Sequence, residues 1–360
     1  MDMILSSFSY KEAHWDLVGF GPLNSENLVV GRNSTGKTRT IHAIQHVASY
    51  MRMKDFPIRP NSFYAEMSFA KKIADSTWTM VYTMKVNDGK IEKENLIVGD
   101  KTLIKRTKTM AKLDGKTVNP PSDKLLVQVR RDKEQYPEIE KLMEWAEGIV
   151  CVICSDINPF TTIIPAKIFA PIPFYEIVEK LTDADKKTVL KRAKEVGYNL
   201  TSIQTIKASA DLRLVQVKEK GISDQLVDIQ LSSGMLRTAY ILCFLEYIKR
   251  DSKCSMLLID DLGEGLDYGR STHLGKMVFE DCAKHALQLI ASSNDAFLMD
   301  VVDISNWQVL RRNVSKVTSI NHDNNADMFR KFRMTGLANF DFFSSDFIDK
   351  YLYKQSLIKQ

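Results

Sequence analysis

The stretch Gly31-Arg32-Asn33-Ser34-Thr35-Gly36-Lys37-Thr38 follows a short apolar run, Leu28-Val29-Val30. It precedes residues 38–51, where Ile41, Ile44 and other apolar residues recur at helical spacing. The stretch fits the pattern G-x-x-x-x-G-K-[ST] at every fixed position, and it has the buried strand before it and the helix after it that the pattern requires. A chance glycine-containing turn would not meet both conditions. The stretch therefore predicts a phosphate-binding loop in an α/β fold.

The chemistry expected of this loop follows from its residue types. Backbone N–H groups of the loop and of the helix N-terminus point at phosphate oxygens. Lys37 is expected to place a positive charge on the β- and γ-phosphates, and the Thr38 hydroxyl to supply an oxygen ligand for Mg²⁺. The loop by itself therefore predicts binding of a nucleoside triphosphate with Mg²⁺, through the candidate residues Gly31, Asn33, Ser34, Thr35, Gly36, Lys37 and Thr38.

Two segments of the C-terminal half could complete such a site. Met256 to Asp261 is an apolar strand that ends in two acids. In a P-loop fold, Asp260 would reach the Mg²⁺ hydration shell, and Asp261 would polarise the attacking water. Leu231-Ser232-Ser233-Gly234-Met235 precedes an apolar helix, so it could form a second phosphate-binding helix end. Taken alone, however, this segment is better explained as a plain N-cap.

Taken together, these segments resemble the motifs of the ABC/SMC ATPase superfamily. Leu231 to Met235 resembles the LSGGQ signature, and Asp260 to Asp267 resembles a Walker B motif followed by the D-loop. Leu289 to Asp295 is similar to the switch strand, with Asn294 where the family usually has His. The spacing resembles SMC, RecF and compact ATPases of phage-defence operons more than transporters. The motifs lie near both ends of the chain, and about residues 60–220 carry none.

The resemblance implies an α/β fold, an ABC-type P-loop ATPase head whose mixed sheet carries an antiparallel β lobe. Residues 1–121 would form the first half of the head, 122–205 an inserted, mainly helical lobe, and 206–360 the second half. Candidate helices in the inserted lobe are Asp132 to Gly148 and Tyr175 to Val196. A Pro-containing stretch, Asn158 to Pro173, separates them.

The resemblance also implies an ATP site shared between two copies of the chain. Ser232 and Gly234 of one subunit would cap the γ-phosphate held by the other, and Asp267 would lie at the dimer seam. The expected assembly is a homodimer or a higher homo-oligomer in which ATP joins the subunits and hydrolysis releases them.

Two departures from the family pattern concern the catalytic candidates, Asp261 and Asn294. The family's usual Glu is Asp261 here, whose carboxylate is one methylene further from the water. The usual His is Asn294, which can hydrogen-bond a phosphate oxygen or a water but cannot titrate near neutral pH. Both changes predict slow hydrolysis and a long-lived ATP-bound state. Glu264 is a possible substitute carboxylate, or a solvated turn residue.

Residues 62–118 predict antiparallel strands. Asn87-Asp88-Gly89 and Asp114-Gly115 are hairpin turns by their composition. Five cations give the segment a basic face: Lys101, Lys105, Arg106, Lys108 and Lys112. A solvated strand edge protected by lysines explains that face at least as well as a DNA contact does.

Length, composition and charge exclude few classes of protein. The chain has 360 residues, 44% hydrophobic, and a formal charge of +5, which is too small to argue for nucleic acid by itself. No signal peptide and no apolar run of about 18 residues is present in the sequence, so we expect a cytoplasmic protein without a membrane partner. Cys151 and Cys154, in an apolar run, are expected to be buried strand cysteines rather than zinc ligands.

Three functions are compatible with these patterns. The first is an ATPase that pairs on ATP and controls a separate effector protein, by analogy with anti-phage or toxin-like systems. The second is a DNA-binding repair ATPase of the RecF or SMC type. It would use the lysines of 101–112 and a second group: Lys186, Lys187, Lys191, Arg192 and Lys194. The third is a transporter ATPase, which ranks last because no convincing Q-loop glutamine can be placed.

Overall fold

The computed structural model describes residues 3–52, 61–73, 76–157, 172–209, 212–250 and 253–358. The predicted Pro-containing linker falls almost entirely outside these ranges. The strands of the first half are β1 (Ile4–Glu12), β2 (Trp15–Phe20), β3 (Glu26–Val30), β4 (Phe63–Ile73), β5 (Ser76–Asn87), β6 (Lys90–Val98), β7 (Lys101–Arg106), β8 (Ala111–Leu113) and β9 (Lys116–Thr117). The later strands are β10 (Ile149–Ile153), β11 (Leu200–Lys207), β12 (Arg213–Glu219), β13 (Gln225–Val227), β14 (Met256–Asp260), β15 (Gln288–Ser292), β16 (Trp307–Asn313) and β17 (Lys316–Ile320).

The helices are distributed over both halves of the chain. They are α1 (Lys37–Arg52), α2 (Leu126–Val129), α3 (Pro137–Glu147), α4 (Phe174–Lys180), α5 (Asp183–Val196), α6 (Ser233–Ile248), α7 (Tyr268–Lys284), α8 (Ala296–Val301), α9 (Ala326–Arg333), α10 (Asn339–Ser344) and α11 (Phe347–Ile358), with short 3₁₀ turns at Cys154–Asp156, Asp228–Gln230 and Ile304–Asn306. Within the described ranges, no helix is both long and apolar enough to cross a bilayer.

One mixed sheet organises the molecule. Among the described residues it has 14 strands in the order β10-β14-β15-β3-β16-β17-β2-β1-β4-β5-β6-β7-β8-β9. Along this order, each strand from β10 through β14, β15 and β3 to β16 pairs in parallel with the next. Each strand from β1 through β4, β5, β6, β7 and β8 to β9 pairs antiparallel with the next. The expected α/β architecture with an antiparallel lobe is therefore confirmed. Because parallel strands end at one edge, the loops after β3, β14 and β15 meet there.

Strand β3 is buried on both faces, which fixes the loop that follows it. Leu28 and Val30 belong to the core on one side of the sheet, and Val29 belongs to the core on the other side. Trp15 and Phe20, the two aromatic residues of β2, are 1% and 0% exposed. They are therefore core residues, and neither presents a ring to a base outside the fold.

The antiparallel lobe follows the sequence pattern closely, with one correction. Asp88 and Gly89 both have positive φ, as do Asp114 and Gly115, so both predicted hairpins turn through left-handed residues. Arg106 does not belong to the basic face. It is 4% exposed, and it donates to the backbone carbonyls of Lys124 and Pro121 at 2.6 and 2.7 Å. Its side chain therefore holds the lobe together from the inside.

The segment 122–205 contains more than helix, although its boundaries as a domain stay a prediction. Strand β10 pairs with β14 at the edge of the main sheet, so residues 149–153 are part of the head. The predicted continuous helix over residues 175–196 is wrong, because it is interrupted after Lys180. Thr182 caps α5 by accepting from the backbone N–H of Asp185, and the Asp185 carboxylate accepts from the Thr182 N–H at 2.8 Å. This reciprocal capping starts a new helix.

Candidate functional site

The loop after β3 is tightly constrained by its own residues. Ser34 and Gly36 both have positive φ, at 65° and 104°. The Thr35 hydroxyl donates to the carbonyl of Arg32 at 2.8 Å. A Cβ on Gly31 would lie 2.5 Å from that Thr35 oxygen, and a Cβ on Gly36 would lie 3.1 Å from the Trp15 indole nitrogen. Both fixed glycines of the pattern are therefore required by close packing.

Lys37 begins helix α1 and returns across the loop. Its Nζ donates to the carbonyl of Gly31 at 2.7 Å, and the side chain is buried. Burial lowers the pKa of Lys37, and the carboxylates of Asp261 and Asp260 oppose that shift. The Lys37 ammonium group thus lies inside the loop beside the Gly31 carbonyl, where it could also donate to phosphate oxygens.

The two acids after β14 are held by Ser292 at the end of β15. Asp260 is buried and accepts from the Ser292 hydroxyl, and the backbone N–H of Asp261 donates to the same oxygen at 3.0 Å. Asp261 has φ of 56°, an uncommon conformation for a residue other than glycine. Burial raises the pKa of Asp261, with further increases from Asp260 and Glu264, while Lys37 lowers it.

The switch residue reaches the loop directly. Asn294 donates from Nδ2 to the side-chain oxygen of Asn33 at 3.4 Å. A cavity of about 440 Å³ opens here, and its lining combines predicted residues with three others: Asn33, Ser34, Gly36, Lys37, Thr38, Asp261 and Asn294, together with Arg39, His42 and Arg312. Residues from the loop, the β14 end and the β15 end thus meet in one cavity, although they are far apart in sequence.

Three residues of this cavity were missed by the sequence patterns. Arg39 and His42 lie on α1, and His42 is one turn after Thr38, so helical spacing could have indicated it. Arg312 lies at the end of β16, outside every motif. Its proximity to the loop arises from pairing between β3 and β16, which no local pattern reveals.

The signature segment forms a separate surface. Ser232 caps α6 by accepting from the Met235 N–H at 3.3 Å. Gly234 is packed so closely that a Cβ would lie 3.0 Å from the Tyr198 hydroxyl oxygen and 3.2 Å from the Gly265 carbonyl. Asp267 caps α7 and pairs with Arg270 at 2.6 Å, and hydrogen bonding to the Arg270 N–H lowers its pKa. Ser232, Gly234 and Asp267 do not line the loop cavity.

Arg237 connects this surface to the turn after Asp261. Its Nη1 donates to the carbonyl of Glu264 at 2.9 Å and lies 3.8 Å from the Glu264 carboxylate. The Glu264 side chain is directed to this contact and does not line the loop cavity. Glu264 is therefore better described as a turn residue than as a replacement for Asp261.

The residues present fit Mg²⁺. Thr38 is exposed and lines the cavity, and the buried carboxylate of Asp260 ends β14, two strands from β3 and directly before the cavity residue Asp261. Among the described residues, no group of three or more His, Cys, Asp or Glu side chains could hold a metal by themselves. One hydroxyl and one carboxylate, with the remaining positions left to phosphate and water, is the donor set that Mg²⁺ usually takes in phosphate sites.

Solved structures share this fold. The SMC head bound to the C-winged helix domain of ScpA aligns with a TM-score of 0.53 and 14% identity, over 90% of this chain and 99% of that chain. An SMC head domain with an extended coiled coil, bound to the C-terminal domain of ScpA from Pyrococcus furiosus, aligns with a TM-score of 0.51 and 11% identity, over 92% and 100%. No protein-family model and no curated protein matches the sequence.

These comparisons define the class of fold. At such low identity they concern the fold alone, which is the fold of SMC head domains. The architecture expected from the motifs is therefore confirmed.

Proposed function

We propose that the chain is a slow ATPase switch in which ATP and Mg²⁺ join two copies and hydrolysis separates them. In this proposal the cavity after β3 holds the nucleotide. Lys37 and the loop N–H groups bind the phosphates, and Thr38 and Asp260 hold Mg²⁺, which neutralises phosphate charge when bound. Asp261 orients and polarises the attacking water, and Asn294 hydrogen-bonds the γ-phosphate or that water.

One observation carries the proposal. The loop, Asp261 and Asn294 line a single cavity, while the exposed caps Ser232 and Asp267 lie outside it, with Gly234 buried in the first turn of α6. Helix α6 presents its N-terminus there, with Ser232 exposed. A helix N-terminus attracts anions, so a second copy could supply Ser232 and Gly234 to the γ-phosphate. The arrangement supports a site that two chains complete together.

Subunit mixing tests this shared site. Lys37→Ala would destroy the loop but keep the signature, and Ser232→Arg would block the signature but keep the loop. We expect each variant alone to be inactive and an equal mixture to recover about a quarter of wild-type phosphate release, because half of the dimers would contain one complete site. Mixing Lys37→Ala with the Lys37→Ala, Ser232→Arg double variant is the matched control, since no complete site can form.

Two results would contradict a shared, ATP-dependent site. If the mixture released no more phosphate than the sum of its two components, the ATP site would not be shared between copies. A mass that is the same with and without ATP and Mg²⁺, measured by light scattering on an Asp261→Asn variant, would argue against ATP-driven pairing.

We further propose that the switch acts in the cytoplasm on a separate effector, a nuclease or toxin in an anti-phage or toxin-like system. The altered catalytic positions Asp261 and Asn294 support a long-lived ATP state, which suits holding a partner more than driving a motor. Co-expression with the product of the adjacent reading frame tests this. We expect nuclease or growth-arrest activity that Asp261→Asn changes, whereas a membrane permease as the neighbour would contradict it.

The alternative, a DNA-binding repair ATPase, is favoured by one observation. Lys105 and Lys112 are exposed and directly opposite each other across β7 and β8. Like charges at opposed positions destabilise a sheet edge unless an anion is near. Other candidate cations are already paired: Lys101 with Asp114, Lys108 with Glu92, and Arg192 with Asp281. Salt-dependent duplex binding that Lys105→Glu, Lys112→Glu abolishes would support this function, and no binding at low salt would remove it.

A further inference from the structure

Four arginines surround the loop after β3, and three of them have a carboxylate partner. Arg39 donates from Nε to Glu12 at 2.8 Å. Arg311 lies 2.6 Å from Asp349, and Arg32 lies 3.7 Å from the same carboxylate. In the described part of the chain, Arg312 has no carboxylate within ion-pair distance. No described carboxylate therefore forms an ion pair with this guanidinium.

The Arg312 guanidinium is nevertheless fixed in place. Its Nε donates to the carbonyl of Val314 at 2.7 Å, and its Nη1 donates to the carbonyl of Ser34 at 3.1 Å. Ser34 belongs to the loop, and Arg312 lines the same cavity as Lys37 and Thr38. Two carbonyls orient the group without neutralising it, and its remaining N–H donors stay available for an anion.

The turn that supplies one of these carbonyls is strained. Val314 and Ser315 connect the paired residues Asn313 and Lys316, and Val314 has φ of 54°. A β-branched residue rarely takes this conformation, which the two-residue turn between β16 and β17 requires. Val314 is 85% exposed, so its side chain does not contribute to the core. The tight turn holds the Val314 carbonyl where it accepts from Arg312 Nε.

We propose that Arg312 binds the phosphate chain of the nucleotide held by the loop of its own chain. This inference rests on the proposed function and adds a contact from outside the recognised motifs. Lys37 would approach the phosphates from within the loop, and Arg312 would approach them over Ser34 from β16. A planar guanidinium suits this role because it can donate two hydrogen bonds to neighbouring phosphate oxygens.

Equilibrium binding of three ligands with Mg²⁺ tests the assignment: ATP, ADP and inorganic triphosphate, the last by competition with a fluorescent ATP analogue. We expect Arg312→Ala to weaken all three, ATP by about tenfold or more, which is the effect of losing one charged hydrogen-bonding group. Arg312→Lys should recover part of the loss because it keeps the charge. Arg311→Ala is the matched control, since Arg311 is the adjacent residue and is paired with Asp349; we expect its affinities within about twofold of wild type.

The outcomes separate this inference from the function it rests on. Loss of ATP and ADP affinity with unchanged triphosphate affinity would mean that Arg312 contacts the nucleoside, and would overturn the proposal. So would Arg312→Ala binding ATP as tightly as Arg311→Ala. If wild-type protein bound none of the ligands, the proposed function would fail as well. Thermal unfolding of both variants identifies any loss that comes from misfolding, in which case Arg312→Lys decides.

Discussion

Two helix N-termini in this chain are candidates for phosphate contacts, and their surroundings differ. Helix α1 starts inside a glycine loop, with the buried ammonium of Lys37 and the acids Asp260 and Asp261 nearby. Helix α6 starts on an exposed surface, where Ser232 caps its own helix. The first end has the charges needed to bind a polyanion by itself. The second presents backbone dipoles and the Ser232 hydroxyl, and its nearby cations Arg237 and Arg270 are engaged by Glu264 and Asp267, so it is suited to complete a site that another chain has already filled.

The largest expected effect is on ATP binding at the N-terminus of α1. Lys37→Ala should weaken ATP binding by about 100-fold, because a charged, partly desolvated hydrogen-bond donor is lost. Ser232→Ala should leave ATP binding by the separate chain within about twofold, while removing one helix cap. Titration of both variants with a fluorescent ATP analogue, at concentrations where the chain is monomeric, measures this. Equal losses in the two variants would mean that the two ends do not differ as described.

A second substitution tests the catalytic role of Asp261, one of the two acids near α1. Asp261→Asn should reduce phosphate release by at least about tenfold, since an amide cannot polarise water as a carboxylate does. ATP binding should persist, because Lys37 and the loop are unchanged. Single-turnover hydrolysis with bound ATP separates the two effects. Unchanged turnover would remove Asp261 from the catalytic role.

A third change concerns the switch position. Asn294→His should raise phosphate release by about threefold or more, because an imidazole can donate to the γ-phosphate and also titrate near neutral pH. Unlike the wild-type profile, the activity of this variant should rise as pH is lowered through the imidazole range, because the protonated ring donates more strongly to the γ-phosphate. A pH series of initial rates for both proteins tests it. A slower, pH-independent variant would show that the amide of Asn294 is itself the better group here.

The smallest expected effect is on stability. Burial raises the pKa of Asp261, so its folded-state value lies above the unfolded one and the protonated form is favoured in the fold. Stability from this group is therefore gained as pH falls through the folded pKa and is lost as pH rises. Asp261→Asn should raise the melting temperature at pH 7.5 by about 1–3 °C, and the difference should shrink on acidification. A difference that grows towards acid pH would contradict the sign.

Features encoded by neighbouring residues were predictable from the sequence. The loop Gly31 to Thr38, the hairpins at Asp88 and Asp114, and the strand before Asp260 each depend on local spacing or turn chemistry. The break at Thr182 was also readable, because Thr182 and Asp185 have the spacing of a capping box. It was missed because apolar periodicity continues across it.

Features that depend on distant pairing were not predictable. Arg106 lies on the same inward face of β7 as Ile104, and the carbonyls of Pro121 and Lys124 that accept its buried guanidinium come from a later segment that no local pattern reveals. Arg312 comes to the loop only because β16 lies beside β3.

The position of β3 has a consequence for how the chain folds. This strand lies near the start of the sequence, but its two neighbours, β15 and β16, come from the final quarter. During synthesis the phosphate loop therefore has no complete support until the ribosome has made residues beyond 310. Contacts between such remote segments slow folding, and the apolar strand Leu28-Val29-Val30 must remain unpaired meanwhile. We expect the nascent N-terminal half to depend on chaperones until the C-terminal strands arrive.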